Sequence, residues 1–358
     1  MKMTKLLTLA AGAVLAVTSA RAQVEINISG AVAFRDTAYL SIRALYGANL
    51  VSENNLTAAP LSLKTTWTGQ ITNLFGSQTV TVRAFYNGAV AGLQDLAQNR
   101  NVAFLSSSTP GDTGTVNLQS DLAFSSIFQQ ATEFPTPVLE DKTFGATPIN
   151  FVKSTSAPAS LNNLTTHQLR TLQANGSLPL WFFTGDTNDT QEVFWVNRDP
   201  TAGQRVTVNL ESIFTGNPIS YYLDTVSGRY IPDPTGRTAP QIRTSLASSS
   251  QIAISYLISA DSFGLNGGQN VLSYNGSKAF KGTFNNTSND FSPVIDGQYS
   301  LWVYEHLLNR TTALANVKNF RDALIASIDT QLQTSAFSIP ITRLNVERQA
   351  DGAPVAPK

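Results

Sequence analysis

From Val24 the chain alternates, with Val24, Ile26 and Ile28 apolar and Glu25, Asn27 and Ser29 polar, a period of two that predicts a strand with one buried face. The strand runs into Gly30-Ala31-Val32-Ala33-Phe34. After Asp36 or Thr37, either of which suits an N-cap, Tyr39, Ile42 and Leu45/Tyr46 recur at helical spacing until Gly47. The unit then repeats: Val80, Val82, Ala84 and Tyr86 alternate, Asn87-Gly88-Ala89 turns the chain, and Val90, Leu93 and Ala97 mark a helix face. Two successive strand–turn–helix units predict an α/β sheet.

Further along, the Ser/Thr/Pro/Gly-rich stretch Ser106 to Gly114 between short apolar pieces predicts a hairpin or surface loop over 101–119. Leu122-Ala123-Phe124 ends in Ser125-Ser126, and Ala146 to Val152 is a buried-strand candidate. Thr165 with Gln168 forms a capping box, Leu164 and Leu169 occupy the staple positions and Gly176 the C′ position, so a helix begins at Thr165. Ile252, Ile254, Tyr256 and Ile258 alternate as a strand. Leu314, Val317, Phe320/Arg321, Leu324, Ile328 and Leu332 trace one face of a C-terminal helix, after which Gln349 to Lys358 is expected to fray. No fixed-period repeat interrupts this order, which disfavours solenoids and propellers.

Composition removes whole classes of chemistry. The 358 residues contain no cysteine and 2 histidines, which excludes thiol catalysis and Cys-ligated metal and disfavours a His-rich centre. Lys+Arg and Asp+Glu are both 24, so no basic footprint exists for nucleic acid. Lys2 and Lys5, the apolar run Leu6 to Val17 and Ala20-Arg21-Ala22 predict a signal peptide over 1–22, cleaved near Ala22/Gln23, and a periplasmic or secreted product. No later stretch is long and apolar enough to predict a membrane span. Signatures of a nucleophile elbow, a phosphate-binding P-loop, a dinucleotide fold or a zinc protease are absent. His167 and His306 offer no evident serine partner, and Asp186-Thr187-Asn188-Asp189 lacks the spacing of a calcium loop. Neither catalytic residues, nor a metal, nor a cofactor is expected.

The suggestive feature is a set of strand ends that stop in small or hydroxylic residues: Ser29-Gly30-Ala31, Asn87-Gly88-Ala89 and Ser125-Ser126. The first two open helices, whose free N–H groups and dipole bind anions if no bulky side chain keeps the ligand away. Such residues equally serve helix–sheet packing. Arg198, after the strand ending Phe194-Trp195-Val196, is either an exposed partner of Asp199 or Glu192 or a guanidinium that clamps an oxyanion with parallel hydrogen bonds.

Taken together, the segments Ile28 to Phe34, Asn87 to Leu93, Ser120 to Ser126, Leu164 to Leu169 with Gly176 and Trp181, Arg198 to Gln204, and Asp296 to Leu301 resemble, in order, the motifs of the phosphate-type periplasmic substrate-binding proteins. The resemblance covers roughly Ile26 to Leu308. It implies a two-lobed α/β fold of type II, with mixed sheets and two crossover hinge segments: lobe 1 over 23–147 plus 299–345, lobe 2 over 148–298, and a C-terminal tail over 346–358. It implies a non-enzymatic protein that binds a small oxyanion in an interlobe cleft and delivers it to an ABC permease. The ligand-binding positions implied are Ala33, Phe34, Ala89, Val90, Ser125, Ser126, Arg198, Ala202, Gly203 and Gln204.

The departures from that family pattern are chemical. Ala202 and Gln204 stand where a Ser and a Thr are usual, Ala33 and Ala89/Val90 replace hydroxyl residues, and Ser126 replaces the Asp that accepts a hydrogen bond from protonated phosphate. The pattern therefore predicts a preference drifted from phosphate that depends on Arg198, Ser125/Ser126 and backbone N–H groups. The alternative is a ligand-free envelope or extracellular structural protein on the same scaffold.

Overall fold

A computed structural model describes residues 23–59 and 62–358; the expected export signal over 1–22 lies outside the described residues. Eleven strands form one mixed sheet: β1 (Val24–Gly30), β2 (Leu50–Asn55), β3 (Lys64–Gly69), β4 (Val80–Phe85), β5 (Leu122–Ser125), β6 (Leu139–Lys153), β7 (Ser177–Pro179), β8 (Glu192–Trp195), β9 (Ile252–Ile258), β10 (Trp302–Arg310) and β11 (Ile339–Pro340). Their order is β7-β8-β9-β6-β10-β5-β1-β4-β3-β2, with β11 on β6. The principal helices are α1 (Arg35–Tyr46), α2 (Ala89–Ala97), α3 (Thr166–Asn175), α4 (Gly203–Glu211), α5 (Ala239–Ser248) and α6 (Ala315–Leu332).

The two long strands β6 and β10 carry the chain between the halves of the molecule. Residues 139–148 of β6 pair antiparallel with β10, and Ile149 to Lys153 pair with β9, so one 15-residue strand belongs to both halves. Apolar burial follows the same division. One core gathers Ile26, Ile28, Trp67, Val82, Leu93, Phe124 and the inner face of α6, and the other gathers Phe151, Leu169, Trp195, Ile242, Ile254 and Tyr256. Tyr299 to Tyr304, Ile339 and Leu344 pack into the second core, which makes the crossing segments common to both.

Three local expectations change on folding. Asn27 and Ser29 are buried together with Ile26 and Ile28, because β1 lies inside the sheet between β4 and β5 and both of its faces are covered. Helix α1 starts at Arg35, with Phe34 at the N-cap and no side-chain cap; Asp36 sits in the first turn, where its carboxylate accepts the Thr37 N–H at 2.8 Å. The C-terminal tail does not fray. Val346–Glu347 pairs with Ala356–Pro357, and the Asp351 carboxylate accepts the Phe128 N–H at 2.8 Å, so a buried acceptor ties the chain end to the body.

The capping box predicted at Thr165 is present, with the Gln168 N–H donated to the Thr165 hydroxyl at 3.2 Å and Gly176 left-handed at φ 75°. The 101–119 segment is a hairpin of Asn101–Leu105 with Thr115–Gln119.

Candidate functional site

The glycines that end β1 and precede α2 have nearly the same φ, Gly30 at 116° and Gly88 at 114°, values that side-chain-bearing residues rarely adopt. The Gly88 N–H donates to the Gly30 carbonyl at 2.8 Å, and the Asn87 carboxamide accepts the Gly30 N–H at 2.9 Å while its own NH₂ donates to Asp95 at 2.8 Å. The two turns are thus locked to each other. A Cβ at Gly30 would overlap the Phe124 carbonyl, and one at Gly88 would lie 2.6 Å from the Thr201 hydroxyl.

Thr201 belongs to the opposite half. The Val90 N–H donates to the Thr201 carbonyl at 3.2 Å, closing one side of a cleft of about 500 Å³. Residues of the first half line one wall, including Ala31, Val32, Arg35, Leu63, Tyr86 and Ala89, together with Ser126. Arg198 to Gln204 and Thr238 to Pro240 supply the other wall, except for Pro200. The first turns of α1, α2, α4 and α5 all contribute to this lining. Their dipoles make the cleft favourable to negative charge.

Arg198 is 5% exposed. Its Nη1 donates to Gln204 Oε1 at 2.8 Å, its Nη2 lies 3.8 Å from Asp199 Oδ2, and its Nε has no hydrogen-bond partner. The loose contact with Asp199 leaves the guanidinium under-satisfied; Asp199 Oδ1 is itself held by the Thr201 hydroxyl and N–H. The backbone around Arg198 is fixed: the Tyr256 hydroxyl donates to Asn197 Oδ1 at 2.6 Å, and the same oxygen accepts the Arg198 N–H at 2.9 Å. Burial pushes the Tyr256 hydroxyl's pKa upward, so it stays a donor. Ser126 Oγ is buried without a partner, and the N–H groups of Gly203 and Gln204 make no hydrogen bond among the described residues. Buried polar groups without partners cost free energy unless something binds them.

Of the ten residues singled out from the sequence, Ala89, Ser126, Arg198, Ala202, Gly203 and Gln204 line the cleft. The other four are not among its lining. Phe34 turns into the core with its ring edge-on to Phe144 at 5.1 Å, Ala33 is buried beside it, Val90 contributes the backbone bond to Thr201, and Ser125 Oγ donates to the Ile127 carbonyl at 2.8 Å. The His and acidic positions weighed for chemistry lie apart from the site. His306 Nδ1 meets Asp141 at 2.9 Å within the crossing strands, His167 is exposed on α3, and Asp186 to Asp189 form a self-bonded turn.

Two buried residues in the lining with unpaired polar atoms escaped sequence reasoning. Arg35 is 7% exposed, its Nη1 reaches only the Val32 carbonyl at 3.3 Å, and its Nε has no partner. Tyr86 is 2% exposed with its hydroxyl unpaired, and burial raises that hydroxyl's pKa. A signal for Arg35 does exist: a cation in the first turn of a helix opposes the helix dipole, and the neighbouring Asp36 is the acidic residue beside it. Tyr86 carried no such mark, because it reads equally well as the last residue of a strand.

No family model matches the sequence, and no curated protein does either. Solved structures do match. A protein assigned as a phosphate ABC transporter substrate-binding protein from Clostridium perfringens, with bound phosphate, is similar at a TM-score of 0.53 and 12% identity, over 88% of this chain and 99% of its own. An ABC-type phosphate transport receptor from Vibrio cholerae is similar at a TM-score of 0.50 and 14% identity, over 86% of this chain and 95% of its own. The chain has the two-lobed α/β fold of the phosphate-type periplasmic substrate-binding proteins. Among the described residues no helix is long and apolar enough to cross a membrane.

Proposed function

We propose that the chain is an exported, non-enzymatic solute-binding protein that takes a small anion into the cleft between its lobes and passes it to an ABC permease. The observation that carries this reading is Arg198, a buried guanidinium with an unpaired Nε in a cleft that also presents the unpaired Ser126 hydroxyl and the free N–H groups of Gly203 and Gln204. The charged lining residues are Arg35, Arg198 and Asp199, with Asp36 beside Arg35. An anion would complete the hydrogen bonds left open on Arg198, Arg35 and Ser126.

The lobes proposed are those expected from the sequence, 23–147 with 299–345 and 148–298, the crossing segments sharing in both cores. Preference is drifted from phosphate. Ala89 and Ala202 carry no hydroxyl, and Ser126 can donate where a carboxylate would demand a protonated ligand.

A thermal-shift panel on ligand-stripped protein tests the reading, since a ligand that binds only the native state stabilises it by RT ln(1 + [L]/Kd). A rise with at least one of phosphate, sulfate, molybdate, phosphonates or carboxylates is the expected result. An unchanged melting temperature across the panel would favour the ligand-free structural scaffold.

A further inference from the structure

We infer that the anion is organic, an acidic head group joined to an apolar portion of roughly one ring. The inference rests on the proposed reading of the cleft as an anion site and concerns what else the ligand must carry. The polar groups and the apolar groups of the lining differ in state. Arg198, Ser126, Arg35 and Tyr86 are each more than nine-tenths buried and each retains an unpaired polar atom. Leu56 and Leu63 line the same cleft and remain 46% and 44% exposed, beside the half-buried Phe85.

An inorganic oxyanion can satisfy the first set and leaves the second wet. Covering exposed leucine and phenylalanine surface is favourable in proportion to the area removed from water. The cleft volume of about 500 Å³ lies within the range that encloses small organic molecules. Arg35 adds the charge argument. It stands on the same half as Leu56, Leu63 and Phe85, whereas Arg198 stands on the other, so a head group drawn to both guanidinium groups holds its substituent next to the apolar wall.

The test is calorimetric titration of the ligand-stripped full chain with two matched pairs, inorganic phosphate against phenylphosphonate and acetate against phenylacetate. The aromatic member of at least one pair should bind about tenfold tighter or more, the order expected for burying one ring. The double variant Leu56→Ser/Leu63→Ser, which changes only exposed side chains, should lower that aromatic member's affinity several-fold and leave its small counterpart unchanged. If a small anion binds and neither aromatic member exceeds it, the inference is overturned while the anion-binding reading stands. An aromatic affinity that the double variant does not alter overturns it as well. If none of the four compounds binds, the inference is overturned; the anion reading falls with it only if the thermal-shift panel, sulfate and molybdate included, is also silent.

Discussion

Gly203 packs against Ser126 so closely that a Cβ on the glycine would lie 2.5 Å from the serine hydroxyl oxygen and 3.1 Å from the Ala89 methyl carbon. The two residues come from opposite sides of the cleft, and the glycine opens helix α4. Its missing side chain lets the halves meet while the α4 N–H groups stay open.

Gly203→Ala should therefore act as a wedge. Overpacking of this kind costs about 1–3 kcal/mol, which would lower anion affinity about tenfold or more if the closed arrangement is the binding one. Titration of the variant checks this; an affinity equal to that of the unaltered chain would show that the halves do not need to meet at Gly203 for binding.

Arg198→Ala should weaken anion binding, and Arg198→Lys should restore only part of the loss. Hydrogen bonds to a charged group contribute about 1.5–3 kcal/mol, so the alanine variant is expected to lose roughly 10–100-fold in affinity. A lysine keeps the charge without the planar fork that reaches Gln204 and a ligand together. Affinity retained by the alanine variant would place the site elsewhere.

Thr165→Ala removes the hydroxyl that receives the Gln168 N–H at the start of α3. The expected cost is about 1 kcal/mol, within the usual range for a lost N-cap. Equilibrium unfolding in urea should report it with anion binding unaltered, since α3 does not line the cleft.

Asp351 supplies a pH dependence of defined sign. Burial raises its carboxyl to about 6, against the lowering influence of the Phe128 N–H, His306 and Arg348. A folded-state pKa above the unfolded value of about 3.9 means that the native state holds the extra proton, so stability is greatest below about pH 4 from this group and is lost as pH rises through about 6. The magnitude is of order 2–3 kcal/mol. Asp351→Asn can still accept the Phe128 N–H and should flatten the unfolding free energy between pH 4 and 6; an unchanged slope would show that another group titrates there.

Most of the local structure was legible because its causes are local. The capping box at Thr165, the strand alternation from Ile252 and the apolar face of α6 depend on neighbours within a few positions. The departures from the local pattern have tertiary causes: Asn27 and Ser29 alternate with apolar residues yet are covered because β1 lies between β4 and β5, and the polar chain end is tied down where Asp351 accepts the Phe128 N–H. The candidate site divides in the same way. Arg198 and the small residues at strand ends stood out, whereas Arg35 and Tyr86 acquire meaning only because the cleft collects them with their polar atoms unpaired.

By itself, the sequence determined that this is an α/β chain without thiol chemistry, with glycines where φ must be positive and one arginine placed after a buried strand. Local spacing and backbone sterics suffice for that much. Tertiary structure alone decided which hydroxyls and guanidinium groups remain free, since satisfaction of a buried donor is a property of its whole surroundings. It also brought Leu56 and Leu63 to the same cleft as Arg198, more than a hundred positions away along the chain.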